Sequence, residues 1–359
     1  MRFRSPAHSD RVTARIGLAL AVTFTLCFVT GLISHLIQHP PSWFGWPSRP
    51  VWLYRVTQGT HVLSGIASIP LLLAKLWSVF PKLFERPVLR GLPHALERLS
   101  ILVLSAAAFF ELVTGLFNVA QNYPWTFYFP QLHYAVGWVA IGAILVHVAV
   151  KLPVVRRALT TEPEPSRRAF LRTTWLTAGV AVVATAGATV PLLRNVSGLS
   201  WRSGKGPQGL PVNRTAAAAG VLDAVRDPNW RLSVVTPNGT KTYSLDQLRS
   251  LPQTSAGLPI ACVEGWSQSA RWSGVSLPEL LRHAGSSPGT PVRVFSLEKT
   301  GIYGISELPG RHTEDELTLL ALELNGEILD ADHGFPCRII APNRPGVLQT
   351  KWVTRLETL

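Results

Sequence analysis

The chain has 359 residues, of which 47% are hydrophobic, and a formal net charge of +13. It is too long for one ordinary domain and too apolar for a typical soluble protein, so membrane segments are expected. Its basic residues collect beside apolar runs and form no basic face interleaved with aromatics, which argues against a nucleic-acid partner. The three cysteines, Cys27, Cys262 and Cys337, lie far apart, which excludes a disulfide framework.

Five apolar runs are each long enough to cross a bilayer, which needs about 20 residues. They are residues 16–37, 56–80, 99–119, 132–152 and 174–193. The first run follows a basic N-terminus, but it exceeds the apolar core of a signal peptide and no small-x-small cleavage site follows it. It is therefore interpreted as a retained helix.

The basic residues in the loops predict the orientation of these helices. Lys and Arg are concentrated in residues 82–98 and 156–172, whereas residues 120–131 contain neither. By the positive-inside rule, both basic loops and the N-terminus are cytoplasmic. The part of the chain that follows the fifth run is then predicted to be extracytoplasmic.

The second basic loop contains the sequence Ser-Arg-Arg-Ala-Phe-Leu-Arg at residues 166–172, which resembles the twin-arginine export motif of bacteria. That pathway exports folded domains, so it suits a domain that is loaded with a cofactor in the cytoplasm. The resemblance implies a multi-pass protein of the bacterial plasma membrane. Arg167 and Arg168 also serve as ordinary positive-inside residues, and that alternative stays open.

The C-terminal part has a different composition. Residues 195–226 are rich in Gly, Ser, Ala and Pro and are predicted to be a linker. From residue 227 onward, short β-branched segments alternate with Gly, Pro and Asn turns, and two helix-like pieces, residues 244–251 and 277–284, interrupt them. This pattern predicts an α+β domain with a mixed sheet.

Cys262 stands where the short apolar run 258–261 meets a loop that contains Gly265. A thiolate at such a junction could coordinate a soft metal, attack an electrophile, or only fill the core. Its position in the sequence alone does not decide among these roles.

Three blocks of residues around and after Cys262 resemble the molybdenum-binding domain of the sulfite oxidase family, in that family's order. They are Cys-Val-Glu-Gly-Trp-Ser with the residues up to 281, Leu-Asn-Gly-Glu-x-Leu with His-Gly-Phe-Pro-x-Arg at 324–338, and the end of the chain from 346 with Lys-Trp-Val. The resemblance covers roughly residues 230–359. It implies that Cys262 is the thiolate ligand of a molybdenum held by molybdopterin.

The same resemblance implies roles for four other residues. His333, Arg338 and Lys351 would contact the cofactor, since an anionic pterin phosphate needs ammonium, guanidinium and imidazole donors. Tyr303 lies near the place where the family often has an active-site tyrosine, although a half-buried strand aromatic is an equal reading of it.

The residues after Cys262 bear on the substrate. Sulfite oxidases place arginines there, whereas this chain has Val-Glu-Gly-Trp at residues 263–266, which looks more like the bacterial branch that contains the methionine sulfoxide reductase catalytic subunit. We expect oxygen-atom transfer from a small or protein-bound S-oxide or N-oxide, although Arg271 could still recruit an anion. The alternatives are a sulfite oxidase-like oxidation that donates electrons to quinone, and a non-catalytic membrane-anchored binding module with the same fold.

Histidines inside apolar helices are rare and usually functional. His61 and His133 occur in the same local pattern, His-x3-Gly, and each is preceded by a helix that carries Thr-Gly, at residues 30–31 and 114–115. This weak internal repeat would bring two imidazoles to the same depth. Both could then ligate one haem iron from opposite faces.

His147 follows His133 by 14 residues, which places it about 21 Å further along the helix and within about 40° of the same face. The arrangement resembles the four-helix cytochrome b subunits of formate dehydrogenases and hydrogenases, which implies one b haem or two and electron exchange with the quinone pool or another membrane carrier. The chain departs from that family, because Gly17 replaces a histidine and Lys75 is the repeat partner of His147. A hydrogen-bonded interhelical residue is the alternative for His147.

The predicted architecture is thus a membrane all-α four-helix bundle with a fifth anchoring helix, followed by an α+β mixed-sheet sulfite oxidase-like molybdopterin domain. The predicted parts are a cytoplasmic N-terminus (1–15), a cytochrome b-like domain surrounded by lipid (16–155), a cytoplasmic loop (156–173), the fifth helix (174–194), the linker (195–226) and the extracytoplasmic domain (227–359).

Overall fold

The computed structural model describes residue 5 and residues 7–83, 91–160, 165–200, 206–299, 301 and 304–359. Tyr303, a predicted site residue, lies outside these described residues. The chain forms two compact units. The first consists of residues 1–35, 59–187 and 192–200, and the second of residues 36–58, 188–191 and 201–359.

Five long helices account for most of the first unit. They are α1 (Asp10–Gln38), α2 (Leu53–Leu83), α3 (Leu92–Ala120), α4 (Phe129–Leu159) and α5 (Pro165–Ala186). All five are long and apolar enough to cross a membrane, so the prediction of five spans is confirmed at the level of the helices. Large apolar side chains are exposed along each of them, which suggests association with lipid.

Small and apolar side chains fill the interior of the helical unit, among them Ile16, Leu71 and Ala108. Where α1 carries Gly17, the missing side chain leaves room for Lys75 of α2, whose Nζ would lie 2.8 Å from a Cβ at residue 17. Lys75 Nζ donates instead to the carbonyl oxygen of Thr13 at 2.8 Å. A half-buried ammonium group therefore stands at the repeat-equivalent position of His147.

Among the residues that the structure describes, ten strands form two sheets in the second unit. The strands are β1 (Leu232–Thr236), β2 (Gly239–Tyr243), β3 (Gln253–Ala261), β4 (Ser267–Ser276), β5 (Val292–Ser296), β6 (Ile305–Leu308), β7 (Leu319–Leu324), β8 (Glu327–Ile328), β9 (Arg338–Ile340) and β10 (Val353–Thr358). One sheet has the order β2-β1-β10-β5-β6, and its β1 and β10 are parallel while the other pairs are antiparallel. The other sheet has the order β3-β4-β7-β8, with β9 on β7, and is antiparallel. The prediction of an α+β domain with a mixed sheet is confirmed.

Short helices precede these strands or connect them. They are α6 (Leu222–Val225), α7 (Leu245–Ser250), α8 (Leu277–Ala284) and α9 (Gly310–Thr313), with 3-10 turns at Pro191–Val196, Pro207–Gly209, Ala331–His333 and Gly346–Leu348. Ser244 caps α7 in a capping box with Gln247. Helix α8 buries Leu277, Leu280 and Leu281 and ends at Gly285, whose positive φ of 87° suits a residue without a Cβ.

Apolar clusters hold the domain together, and two of them contain most of its buried side chains. The larger one packs α8 against β1, β5 and β10 through residues such as Leu232, Leu280 and Val294. The second contains Trp272, Leu319 and the thiol of Cys262. A Cβ at Gly274 would collide with the carbonyl oxygen of Leu320, so the glycine permits the close approach of β4 and β7 at their register shift.

The imidazole of His312 is buried in this domain. Burial, with the positive charges of Arg344 and Arg311, lowers the pKa of His312 to about 3. The folded state then keeps this ring neutral while the unfolded chain binds a proton below pH 6.5, so the stability contribution is present above pH 6.5 and is lost as the pH falls.

We expect His312→Gln to flatten the pH dependence of unfolding. Between pH 6.5 and 4 the wild-type protein should lose on the order of 3 kcal/mol through this group, since one pKa unit corresponds to about 1.4 kcal/mol. Thermal unfolding in detergent at several pH values measures the effect, with the exposed His283→Gln as the control. Parallel curves for His312→Gln and wild type would contradict it.

Candidate functional site

Cys262 lies at the tip of the hairpin formed by β3 and β4, whose last pair is Ala261 opposite Ser267. Its backbone N–H donates to the carbonyl oxygen of Trp266 at 2.8 Å, and the N–H of Gly265 donates to the carbonyl oxygen of Cys262 at 3.1 Å. The positive φ of Gly265, 89°, lets the chain close this tight loop. The Cys262 thiol is 1% exposed and is thus held in a defined position.

A small cavity, partly open to solvent, lies beside this thiol; the space around it that holds no atoms is about 290 Å³, open solvent included. Its lining combines the sulfur with three polar side chains from distant parts of the sequence, His333, Arg338 and Lys351. The other lining residues are Leu210, Pro211, Asn213, Ile260, Trp266 and Gly346. The structure therefore brings four of the predicted site residues together around one space.

His333 ends a 3-10 turn that Asp330 caps by accepting from the N–H of Asp332 at 2.8 Å. The ring is buried, and its Nε2 lies 2.8 Å from the carbonyl oxygen of Pro207, which assigns the proton to Nε2. Burial lowers the pKa of His333 to about 4, so the ring is neutral near pH 7. A neutral ring that donates through Nε2 has Nδ1 as an acceptor.

Arg338 is the most deeply buried cation of the cavity wall, with 2% of its surface exposed. Its two Nη atoms donate to the carbonyl oxygens of His333 and Gln349, both at 3.0 Å. Its guanidinium carbon lies 5.1 Å from the ring centre of Trp272. Within the described residues its Nε has no hydrogen-bond partner. Burial lowers the pKa of Arg338 to about 9, because removing the guanidinium from water disfavours its charged form.

Lys351 completes the positive wall. Its Nζ donates to the carbonyl oxygens of Asp332 at 2.7 Å and Arg214 at 2.9 Å, and it lies 5.4 Å from the ring centre of Trp352. Burial, followed by repulsion from Arg338, lowers the pKa of Lys351 to about 7. An anion in the cavity would raise the pKa of Lys351, because an opposite charge favours the protonated form.

This donor set fits a molybdopterin. The cavity offers a soft sulfur ligand on one side, and the buried guanidinium of Arg338, the half-buried ammonium of Lys351 and the buried imidazole of His333 on the others. Soft thiolates suit transition metals of this kind, and a guanidinium suits a phosphate. The Arg338 Nε without a partner is a donor that such an anion could engage. The residues present therefore fit the cofactor that the sequence motifs imply.

Part of this wall comes from residues that the composition assigns to a linker. Leu210 is buried and lines the cavity with Asn213, and the Gln208 Nε2 donates to the carbonyl oxygen of Ile328 at 2.9 Å. Further along, Ala216 and Val221 are buried against Trp352. Small residues and prolines are typical of linkers, but here they allow close packing, so composition gave no signal of their place in the site.

A second set of residues near the hairpin also lacks a sequence signal. The Arg55 guanidinium donates to the hydroxyl groups of Ser267 and Ser269, both at 2.7 Å. The Gln58 Nε2 donates to the carbonyl oxygen of Val263 at 3.1 Å. Residues 36–58 belong to the second unit although they lie between two predicted spans.

In the helical unit, the rings of His61 and His133 lie side by side, with their centres 6.3 Å apart and their planes at 81°. The Nδ1 of His61 is 2.8 Å from the carbonyl oxygen of Cys27, and the Nδ1 of His133 is 3.0 Å from the hydroxyl of Thr114. These contacts on Nδ1 orient both rings.

The glycines of the Thr-Gly repeat lie against these rings. A Cβ at Gly31 would come within 2.8 Å of the His61 ring, and one at Gly115 would be 3.8 Å from the His133 ring. A metal between the imidazoles, at about 2 Å from each nitrogen, would require ring centres roughly 6 Å apart, as the two rings are. Glu111 Oε2 is 3.2 Å from His133 Nε2 and would have to give way to the iron.

His147 is not brought together with this pair. The charged groups that shape its electrostatic environment are Lys75, Lys151 and Glu97. Lys75 therefore lies near His147, at the position where the internal repeat would require a second axial imidazole.

Comparison with known proteins gives a match for the second unit. Residues 219–359 match the family model described as an oxidoreductase molybdopterin binding domain. Mitochondrial sulfite oxidase of Drosophila melanogaster is 34% identical over 161 residues, which cover 38% of this chain and 28% of that protein. Sulfite oxidase of Gallus gallus is 33% identical over 164 residues, which cover 38% of this chain and 36% of that protein.

A bacterial relative is named for a different activity. The protein-methionine-sulfoxide reductase catalytic subunit MsrP of Ralstonia nicotianae is 32% identical over 156 residues, which cover 40% of this chain and 46% of that protein. The chain thus spans less than half the length of each of these three relatives.

Proposed function

Residues 219–359 form a molybdopterin domain of the sulfite oxidase family, and from this premise we propose that the chain is a membrane-bound oxidoreductase that removes oxygen from an S-oxide or N-oxide. Electrons would come from the quinol pool through a b-type haem. One observation carries the proposal: the Cys262 thiol and the cationic side chains of Arg338 and Lys351 line the same cavity.

The chain's own residues would divide the work of holding the cofactor. Cys262 would be the thiolate ligand of molybdenum, because it is the sulfur in the cavity wall. Arg338 and Lys351 would bind the anionic end, and His333 would hydrogen-bond to the pterin through its neutral ring. When bound, molybdenum supplies two-electron oxygen-atom transfer, while the protein provides orientation and shields the site from water.

The rim beside Cys262 favours a neutral oxide over sulfite. Trp266 Nε1 donates to Glu264 Oε2 at 3.2 Å, which fixes a carboxylate two residues from the sulfur. A carboxylate there repels a dianion but tolerates an uncharged sulfoxide. A protein-methionine-sulfoxide reductase subunit among the relatives supports the same direction. Tyr303 is proposed as a further active-site residue from the family motif alone.

The helical unit would hold one haem between His61 and His133, whose ring spacing supports iron ligation. A second haem at His147 would need another axial ligand, and Lys75 stands at the equivalent position. The basic loops and the twin-arginine motif support a bacterial plasma-membrane protein whose molybdopterin domain is extracytoplasmic.

A second candidate reaction runs in the opposite direction. Sulfite oxidases of two animals are among the relatives. In addition, the Arg55 guanidinium of α2 donates to the hydroxyl of Ser267, on the strand that leaves the Cys262 loop. Under this alternative an anion such as sulfite is oxidised and the electrons pass to quinone.

The deciding experiment uses the purified full chain in detergent. Molybdenum is quantified by metal analysis and haem by its visible spectrum. The haem is then reduced without oxygen and mixed with methionine sulfoxide, dimethyl sulfoxide or trimethylamine N-oxide, and the oxidised protein is mixed with sulfite. We expect about one molybdenum per chain and haem oxidation by an oxide. Haem reduction by sulfite would support the alternative direction, and protein without molybdenum would contradict both.

A further inference from the structure

Residues 36–58 are anchored to the molybdopterin domain through Asn343, which is 2% exposed. Asn343 forms three hydrogen bonds with this segment. Trp46 Nε1 donates to the Asn343 carbonyl oxygen at 2.9 Å, the N–H of Tyr54 donates to its Oδ1 at 2.6 Å, and its Nδ2 donates to the carbonyl oxygen of Pro47 at 2.7 Å. Buried bonds of this kind are specific, because leaving any of these groups without a partner would be costly.

Two arginines extend this attachment. Arg49 forms a two-bond contact with both carboxylate oxygens of Asp315, each at 3.0 Å. Arg55 engages Ser267 and Ser269 on β4. The planar guanidinium suits such paired contacts and fixes direction as well as distance. The start of α2 is thereby held along the strand that leaves the Cys262 loop.

The last contact of the segment reaches the loop itself. Gln58 Nε2 donates to the carbonyl oxygen of Val263, the residue after Cys262. The Tyr54 hydroxyl donates to Gln58 Oε1 at 3.4 Å, which fixes the orientation of the amide. Tyr54 and Gln58 are 1% and 5% exposed, so water does not compete for these bonds. The peptide that follows the thiol is therefore held by a side chain of α2.

We propose that Gln58 is a positioning residue for Cys262, on which it acts through its hydrogen bond to the carbonyl oxygen of Val263, the next residue in the chain. This inference rests on the proposed function.

The proposed reaction balances as follows. Quinol oxidation to quinone releases two electrons and two protons. A bound haem would relay these electrons one at a time. A sulfoxide takes up both electrons and two protons, its S–O bond breaks, and a sulfide and one water molecule are formed. Gln58 takes no part in this chemistry; it sets the position of the loop that carries the Cys262 thiol.

The test compares Gln58→Met, which keeps the length of the side chain but loses the donor, with Val56→Ala, an exposed position on the same helix. Hydrogen–deuterium exchange of residues 262–266 reports the loop, since its Cys262 and Gly265 amides are hydrogen-bonded. In Gln58→Met we expect exchange about two- to tenfold faster, as for one lost hydrogen bond, and slower haem oxidation by methionine sulfoxide. Val56→Ala should match the wild type in both.

Tyr54→Phe provides a second test that keeps the packing and removes only the hydroxyl. It should change exchange and haem oxidation in the same direction as Gln58→Met, by a smaller factor. Wild-type values in Gln58→Met, or equal changes in Val56→Ala, would overturn the proposal. Wild-type protein without molybdenum or haem would refute the proposed function instead, and the exchange of residues 262–266 would still decide whether Gln58 positions the loop.

Discussion

Cys262→Ala should lower oxide-dependent turnover by more than about a hundredfold, because outer contacts of a metal site alone cost roughly 10- to 100-fold and this side chain would bind the metal directly. The thiol is buried in the cavity wall with Arg338 and Lys351. Its removal leaves the cationic groups in place, so the pterin end can still bind while the metal loses a ligand. Turnover with reduced haem as the electron donor and the molybdenum content per chain measure the effect.

Cys337→Ala is the matched control. Cys337 is also fully buried, and its thiol donates to the carbonyl oxygen of Val353 at 3.5 Å. Burial raises the pKa of Cys337, which keeps it a thiol, and it does not line the cavity. The control variant should lose stability but keep molybdenum and turnover per folded molecule. Equal turnover in Cys262→Ala and Cys337→Ala would exclude metal ligation by Cys262.

The positions around the cavity could be predicted because they belong to contiguous motifs. His333 and Arg338 are five residues apart, on a capped turn and at the start of β9, and one hydrogen bond joins them. Residues in such a short motif have a relative geometry that the local backbone determines. The apolar runs likewise predicted α1 to α5, since a lipid-facing helix needs little beyond length and hydrophobicity.

The rest depends on contacts between residues far apart in sequence. Tyr54 and Asn343 are 289 residues apart, and neither has neighbours that indicate the pairing. Gln58 reads as one polar residue near the start of an apolar run, yet it reaches the Cys262 loop. Such bonds arise only once both partners are folded, so no periodicity or composition reveals them.

Glu111 shows the same limit inside the helical unit. The sequence marks it as one of few charged residues in the apolar runs, but gives no sign that it contacts His133 Nε2. Under the proposed haem ligation that nitrogen would bind the iron, so the carboxylate would compete with the metal for it. Glu111→Gln weakens the competing contact, so it should retain haem at least as well as the wild type.

His61→Ala and His133→Ala should each abolish haem binding, leaving less than about a tenth of the wild-type content, because a b-type haem is held in the protein only by its axial ligands and packing. The centres of the two rings are 6.3 Å apart, their planes are at 81°, and they have different partners on Nδ1, so neither can replace the other. The visible spectrum and pyridine haemochrome assay of detergent-purified protein measure haem, and molybdenum content serves as the internal control, since Cys262 lies in the other unit.

His147→Ala distinguishes one haem from two. With Lys75 at the repeat-equivalent position, we expect the variant to keep the wild-type haem content and spectrum. A loss of half the haem would instead assign a second iron to His147. Full haem content in both His61→Ala and His133→Ala would rule out ligation by the pair, and the hydrogen bonds that orient the two rings would then serve only to join α1 with α2 and α3 with α4, since Cys27 and Thr114 lie on the preceding helices.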